Sequence, residues 1–207
     1  MVHLADGIVS MPVCVAAAVG AGGVTIAGLR GLADRQVPQL AVMTAVFFVV
    51  GAVHVRIGPG SVHLLFTGLL AAVLGWRAIV PVAIGVVMHA IILQHGGLTT
   101  IGVNTLILGV PALLIGAGAE RWRAGGSAHA AWLIGASATV MTYVLSTALL
   151  VGITSLFDRR LNIAVGTWAA MHLPVMLLEV VVTGSALAYL SRTHQGAWRP
   201  CCVEDLS

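Results

Sequence analysis

Seven apolar stretches, the third and fourth of them shorter than the rest, follow one another along this chain, separated by short polar breaks. A helix needs about 20 mostly apolar residues to cross the hydrocarbon core of a bilayer. We predict such spans at residues 8–29, 36–55, 61–76, 78–95, 101–119, 130–156 and 164–190. Of the 207 residues, 59% are apolar and 8% are charged, whereas a soluble domain carries roughly a quarter of its residues charged. The sequence therefore predicts an all-α polytopic membrane protein with about seven transmembrane helices.

The arginines predict how the chain crosses the membrane, since the sequence contains no lysine. If the amino terminus is outside, most arginines fall in cytoplasmic segments: Arg30, Arg35, Arg77, Arg121, Arg123, Arg192 and Arg199. The outer loops then hold Arg56, Arg159 and Arg160. Basic residues favour the cytoplasmic side, so we predict an outer amino terminus and a cytoplasmic carboxyl terminus. Residues 1–195 then form a single transmembrane domain, and residues 196–207 form a short cytoplasmic tail.

In this topology four histidines fall at the outer end: His3, His54, His63 and His95. Imidazole binds Zn, Cu, Co and Ni, although any single loop histidine can equally cap a helix or lie at the interface. His3 differs because it is close to the amino terminus. The terminal amine, the next amide nitrogen and the imidazole can occupy three positions of a square plane, a geometry that suits Cu(II) and Ni(II). A second imidazole could fill the fourth position, and His63 is better placed for this than His54.

The stretch "QHGGLTTIGVNT" predicts a structured loop at the same outer end. Its Gly-Gly pair permits a left-handed backbone. Thr99, Thr100 and Asn104 supply hydrogen-bonding groups where the next span begins. Two interpretations remain open: an ordinary capped loop, or a loop that fixes the amino-terminal segment over a metal site.

The stretch "TWAAMHLPVMLLEV" places His172 and Glu179 seven residues apart, nearly on one helix face. Ionisable groups at membrane depth are costly and usually face a cavity or a partner. The pair indicates either a polar network that braces the outer site or a partner interface, or a buried hydrogen-bonded pair that specifies helix packing. The sequence does not separate these two interpretations.

Four stretches together resemble the CbiM/NikM family, the substrate-capture (S) components of cobalt and nickel energy-coupling factor (ECF) transporters. They are "HLADGIVS", "GPGSVHLLFTGLLAAVLGW", "QHGGLTTIGVNTL" and "MHLPVMLLE". The resemblance implies that the amino-terminal amine, amide and imidazole bind the ion together with a histidine before the third span. These ligands correspond to Val2, His3 and His63. Asp6 matches the family's acidic residue and would tether the opening loop. We expect Asp6, His95 and Asn104 to hold the ligands in place without binding the ion.

The resemblance also implies partners: a small auxiliary membrane subunit, a transmembrane coupling (T) subunit and ATPase (A) subunits. The chain has no GxxxxGK[ST] motif, so it is expected to be a transporter subunit rather than an enzyme. It would lie as a multi-pass protein in the bacterial cytoplasmic (inner) membrane. No cofactor and no nucleic-acid partner are expected. The expected transported ion is Co²⁺, for cobalamin synthesis, with Ni²⁺ as the alternative.

The chain departs from the family at its start, where Met-Val-His replaces Met-His. Either Met1 is removed, or Val2 marks a GTG start codon with a methionine added in front. We predict that the active protein begins at Val2, or at a methionine in its place. The amine, the His3 amide and the His3 imidazole then leave the fourth position open for His63.

One rival function is a haem-binding electron-transfer anchor with His89 and His172 as axial ligands. It requires two histidines at matching depth on facing helices. An intramembrane hydrolase that uses His172 and Glu179 has no supporting HExxH pattern.

Overall fold

Helices form most of the chain in a computed structural model that describes residues 4–57, 60–120, 127–157 and 161–193. This part of the chain contains seven α-helices: α1 Met11–Leu29, α2 Val37–Ala52, α3 Thr67–Leu74, α4 Ile79–Ile92, α5 Ile101–Glu120, α6 Ala128–Phe157 and α7 Leu161–Thr193. Short 3₁₀ turns precede α2 (Asp34–Gln36) and α4 (Gly75–Ala78). Two strands, β1 His54–Ile57 and β2 Gly60–His63, lie between α2 and α3. The predicted all-α membrane class is confirmed, whereas Val2, His3 and the tail 196–207 lie outside the described residues.

Six helical segments of the described chain are long and apolar enough to cross a bilayer: 11–29, 34–52, 67–92, 101–120, 128–157 and 162–193. The predicted third and fourth spans fall within one of these segments, because α3 and α4 are separated by only the 3₁₀ turn. Gly75 begins this turn at φ +62°, a left-handed conformation that favours glycine. The count of seven spans and the orientation of the termini stay predictions.

The predicted span 61–76 is wrong at its start, where the chain is a strand rather than a helix. β2 pairs antiparallel with β1, with His54 opposite His63 and Val55 opposite Val62. The α-helix begins only at Thr67. A short apolar run before a helix has no periodicity that separates strand from helix, so hydropathy extended the span too far.

Helix α5 is the central helix and packs closely on its neighbours through glycines. A Cβ atom at Gly102 would meet the backbone of Ala18 in α1, and one at Gly116 would meet the backbone of Gly75. Between them, Gly109 faces Ile79 of α4. Small residues let membrane helices approach this closely. The first turn of α5 therefore lies beside α1, near the amino-terminal segment.

Helices α6 and α7 form a long antiparallel pair. The Tyr143 hydroxyl in α6 donates to the Ala169 carbonyl at 2.6 Å. Near the end of α6 and the start of α7, the Thr154 hydroxyl donates to Asn162 Oδ1 at 2.7 Å. This pairing places His172, about three turns into α7, beside Tyr143, with their ring centroids 6.4 Å apart.

Candidate metal site

Hydrogen bonds hold the amino-terminal segment against the start of α5. The Leu4 N–H donates to Asn104 Oδ1 at 2.7 Å, and Asn104 Nδ2 donates back to the Leu4 carbonyl at 3.1 Å. The Thr100 hydroxyl donates to the same carbonyl at 2.7 Å. Leu4, which follows the predicted ligand His3, is buried. We call Leu4, Asp6, Thr99, Thr100 and Asn104 the amino-terminal clamp.

Asp6 makes the second set of hydrogen bonds in the clamp. Its carboxylate accepts the Leu98 N–H at 3.1 Å, the Thr99 N–H at 2.9 Å and the Thr99 hydroxyl at 2.5 Å. The Thr99 hydroxyl, with the backbone N–H groups of the same loop, holds the pKa of Asp6 below that of an ordinary aspartate. Gly96 has φ +80°, and a Cβ atom at Gly97 would collide with Asp6. These bonds join Asp6 to the loop that contains the Gly-Gly pair, and a role for Asp6 in supporting a metal site stays a prediction.

His95 lies in the same loop and makes two local hydrogen bonds. Its Nδ1 is 3.2 Å from the Leu93 carbonyl oxygen, and its backbone N–H donates to the His89 carbonyl at 3.0 Å. Neither bond reaches Leu4 or Asp6. A role for His95 in holding the ligands stays a prediction.

His63, the predicted fourth ligand, is the last residue of β2 and is 3% exposed. Its ring meets the ring of His172 edge-on, with the centroids 6.2 Å apart. Its Nδ1 is 3.3 Å from the Leu64 carbonyl oxygen. Metal-binding histidines usually donate one ring N–H to such an acceptor and bind through the other nitrogen. In that tautomer Nδ1 donates to Leu64, and the lone pair is on Nε2.

Glu179 of α7 fixes the backbone that follows His63. Its Oε1 accepts the Leu65 N–H at 2.5 Å, and its Oε2 accepts the Phe66 N–H at 3.2 Å. Helix N-termini leave such N–H groups unsatisfied, so a carboxylate from another helix caps α3. Phe66 has φ +46°, which is uncommon for a residue other than glycine. Glu179 thereby determines where β2 ends and α3 begins.

This contact corrects one interpretation of the α7 motif. His172 and Glu179 do not form a hydrogen-bonded pair, because the carboxylate oxygens are bonded to backbone N–H groups instead. The sequence contained a signal for such a contact, since a buried carboxylate in an apolar helix requires donors. It contained no signal that the donors follow His63.

The two histidines of the haem hypothesis lie in different surroundings. The His89 ring packs against Phe47 and Phe48 of α2, and its Nε2 is 3.0 Å from the Phe48 carbonyl oxygen. The His172 ring lies against Trp168, His63 and Tyr143. This arrangement does not favour a haem held between His89 and His172.

Within the described ranges, no three His, Cys, Asp or Glu side chains come together as a metal site. This part of the chain supplies the His63–His172 contact and the amino-terminal clamp, whereas Val2 and His3 lie outside it. Leu4 belongs to the same buried apolar cluster as Leu65 and Trp168. The clamp and the two imidazoles therefore border one core.

Comparison with known proteins decides the family. The profile described as "cobalt uptake substrate-specific transmembrane region" (CbiM) matches residues 3–196. The chain belongs to the CbiM family. The resemblance inferred from the four sequence stretches is confirmed.

Relatives of this CbiM-family chain are named for metal transport. It is 27% identical to the cobalt transport protein CbiM of Sorangium cellulosum, over 91% of this chain and 90% of the relative. It is also 27% identical to the fused nickel transport protein NikMN of Rhodobacter capsulatus, over 93% and 62%. A Haemophilus influenzae protein named for metal transport is 36% identical over 112 residues, and the match spans about half of that protein (54%).

A solved structure shares the fold. The crystal structure of a transition metal transporter superposes with a TM-score of 0.72 at 20% sequence identity, covering 93% of this chain and 94% of the other. A truncated form gives 0.71. At this identity the likeness shows the fold alone.

Proposed function

We propose that this chain is the substrate-specific membrane component of an ECF-type transporter and that it captures Co²⁺ at its outer face. Ni²⁺ is the alternative, because relatives named for both metals match nearly the whole chain. The observation that carries the proposal is the amino-terminal clamp. Six hydrogen bonds fix the Leu4 backbone and the Asp6 carboxylate, within three residues of the predicted ligand His3.

The proposed ligands are four nitrogen atoms: the Val2 amine, the His3 amide and imidazole, and the His63 imidazole. Asp6 and Asn104 fix the segment that carries the first three. Glu179 fixes the backbone beside the fourth. These supporting roles explain why polar side chains surround the amino-terminal segment in a chain that is otherwise apolar.

The proposed partners are a coupling (T) subunit, ATPase (A) subunits and a small auxiliary membrane subunit in the bacterial cytoplasmic membrane. ATP hydrolysis is assigned to the A subunits, since this chain has no P-loop motif. The outer faces of α1 carry exposed apolar side chains, including Val15, Val19 and Ile26. Lipid or the coupling subunit would cover them. The cobalt taken up would serve cobalamin synthesis.

Metal analysis of protein purified from cells supplied with both ions tests the proposal. We expect about one Co²⁺ per chain, or one Ni²⁺ if the alternative holds, and none in His63→Ala. An absorption spectrum of the same sample tests the haem alternative. Protein without either metal, or with a Soret band, would contradict the proposal.

Intact mass measurement on transport-competent protein tests the starting residue. We expect a chain that begins at Val2 or at a methionine in its place. A chain that keeps both Met1 and Val2 would supply four nitrogens by itself and would not need His63. Full activity in that form would rule out the proposed ligand set.

A further inference from the structure

The chain from His63 to Phe66 contacts α7 at two places. At one, the Glu179 carboxylate accepts the N–H groups of Leu65 and Phe66. At the other, the His63 imidazole meets the His172 imidazole edge-on, with the ring centroids 6.2 Å apart. Glu179 bonds to the backbone alone, so it does not determine how the His63 ring is turned about its side-chain bonds. That orientation depends on contacts of the ring itself.

His172 is itself held in place by aromatic side chains. Its ring lies against the Trp168 ring, with a centroid distance of 3.8 Å, and beside the Tyr143 ring at 6.4 Å. Tyr143 is fixed in turn, because its hydroxyl donates to the Ala169 carbonyl. Closely packed interior side chains keep one rotamer most of the time. The His172 ring is therefore a fixed surface against which the His63 ring lies.

The contact of His172 with His63 is made by the rings rather than by a hydrogen bond. Neither ring nitrogen of His172 has a hydrogen-bonding partner in the described part of the chain. Edge-on pairs of aromatic rings are favourable at centroid distances of about 4.5–7 Å, and the observed distance lies in this range. A ring of similar shape without nitrogen atoms can make the same contact.

We propose that His172 is a positioning residue for His63. Its ring, held by Trp168 and Tyr143, keeps the His63 imidazole in one rotamer, and His172 itself does not bind the ion. A ligand that is already oriented loses less rotamer entropy when it binds, so binding is tighter. The inference rests on the proposed function, because it takes His63 as a ligand of the transported ion. It assigns two supporting roles to α7, since Glu179 fixes the backbone after His63 and His172 fixes the ring.

Chemical modification of the metal-free, full-length protein in detergent tests the ring contact without any ion. Diethyl pyrocarbonate modifies accessible imidazoles, and peptide mass spectrometry locates the modified histidines. His63 is 3% exposed, so we expect it to be protected in the wild type and in His172→Phe, which keeps a ring. We expect at least tenfold faster modification of His63 in His172→Ala.

His89→Ala is the matched control, since it removes another buried imidazole and should leave His63 protected. If His172→Ala does not fold, His172→Leu takes its place, because leucine fills much of the volume without a planar ring. Protection of His63 at the wild-type level in the variant without a ring would overturn the proposal.

Titration with Co²⁺ and with Ni²⁺ separates this inference from the proposed function. We expect at least tenfold weaker binding in His172→Ala, as is typical of residues that orient a metal ligand. Binding should stay within about threefold of the wild type in His172→Phe, and should change less than twofold in His89→Ala. If the wild type binds neither ion, the proposed function fails, and the positioning role fails with it. If the wild type binds and His172→Ala binds equally well, the function stands and the positioning role is wrong. Binding as weak in His172→Phe as in His172→Ala would show that the nitrogen atoms are required, which also overturns the proposal.

Discussion

The amino-terminal clamp and the imidazole pair, His63 with His172, are both polar clusters in an apolar chain. They differ in whether their side-chain polar atoms have hydrogen-bonding partners in the described residues. In the clamp, both side-chain polar atoms of Asn104 bond to Leu4, and Asp6 accepts from three groups of one loop. In the imidazole pair, the His172 nitrogens find no partner in the described residues. A cluster that the protein completes by itself fixes a backbone segment. A cluster whose buried nitrogens lack a partner among the described residues requires one from the rest of the chain or from a ligand.

Replacing His63 should have the largest effect, because it removes a proposed ligand and leaves the clamp intact. We expect His63→Ala to abolish metal uptake and Co²⁺ binding, beyond the 10–100-fold loss typical of residues behind a metal ligand. The protein should remain folded and inserted. His89→Asn is the control and should keep uptake. Metal accumulation at the wild-type level in His63→Ala would remove His63 from the site.

Replacing Glu179 should have the next largest effect, since it leaves two buried N–H groups unsatisfied beside His63. Each such group costs about 1–3 kcal/mol. We expect Glu179→Ala to lower both the melting temperature and the Co²⁺ affinity, the latter at least tenfold, with Glu179→Gln intermediate.

Glu120 offers a control at the other end of α5, where its carboxylate accepts the Trp76 N–H at 3.2 Å. We expect Glu120→Ala to lower stability without a specific loss of Co²⁺ affinity. Equal losses of affinity in Glu120→Ala and Glu179→Ala, at equal melting temperatures, would show that Glu179 acts through general stability alone.

A methyl group at Gly97 tests whether the clamp acts on the metal. Because the added Cβ atom would collide with Asp6, we expect Gly97→Ala to weaken Co²⁺ binding several-fold. Gly118→Ala is the matched control, since nothing lies within 4 Å of its added Cβ atom. If the two variants bind Co²⁺ alike, the clamp does not support the site.

The smallest expected effect is that of Asp6→Ala, which should weaken Co²⁺ binding without eliminating it, because Asn104 and Thr100 still hold Leu4.

The pH dependence of binding provides a second test of Asp6. Because the pKa of Asp6 is lowered, the stabilisation that its carboxylate gives to the clamp is fully present above the ordinary value of 3.8 and is lost as the pH falls through the lowered value. Asp6 therefore stays ionised between pH 5 and 8. Loss of binding on acidification in that range comes from protonation of the proposed terminal amine and of the imidazoles. We expect Asp6→Ala to reduce Co²⁺ affinity at every pH without moving the pH at which half of the binding is lost. A shift of that pH, or complete loss of metal, would contradict the assignment of Asp6 to positioning the amino-terminal segment.

The contrast between the clamp and the imidazole pair also explains which features of the structure the sequence predicted. The sequence indicated the parts of the clamp because each has a local signal: a Gly-Gly pair, hydroxyls at a helix start, and an acidic residue near the terminus. It left open whether the loop fixes the amino-terminal segment or is an ordinary capped loop. Most helix bounds were predictable for a similar reason, since span length follows from hydropathy. The contact of His63 with His172 joins residues more than 100 positions apart, and no periodic pattern in the sequence indicates that they meet.

The start of α3 was missed for a physical reason as well. The strand from Gly60 to His63 and the cap by Glu179 depend on a tertiary contact from α7. Hydropathy detects that residues 61–76 are apolar, but it does not detect which backbone N–H groups are bonded outside the helix. His63 was therefore predicted at the mouth of a span, whereas it is buried beside α7.

The most direct test of the account is Co²⁺ titration of the purified protein before and after acetylation of its terminal amine. The sequence contains no lysine, so an amine-directed reagent modifies that group selectively, and intact mass verifies a single acetyl group. We predict one Co²⁺ bound per untreated chain and loss of binding after acetylation, with the fold retained. Unchanged Co²⁺ affinity in the acetylated protein would contradict a site built on the amino terminus.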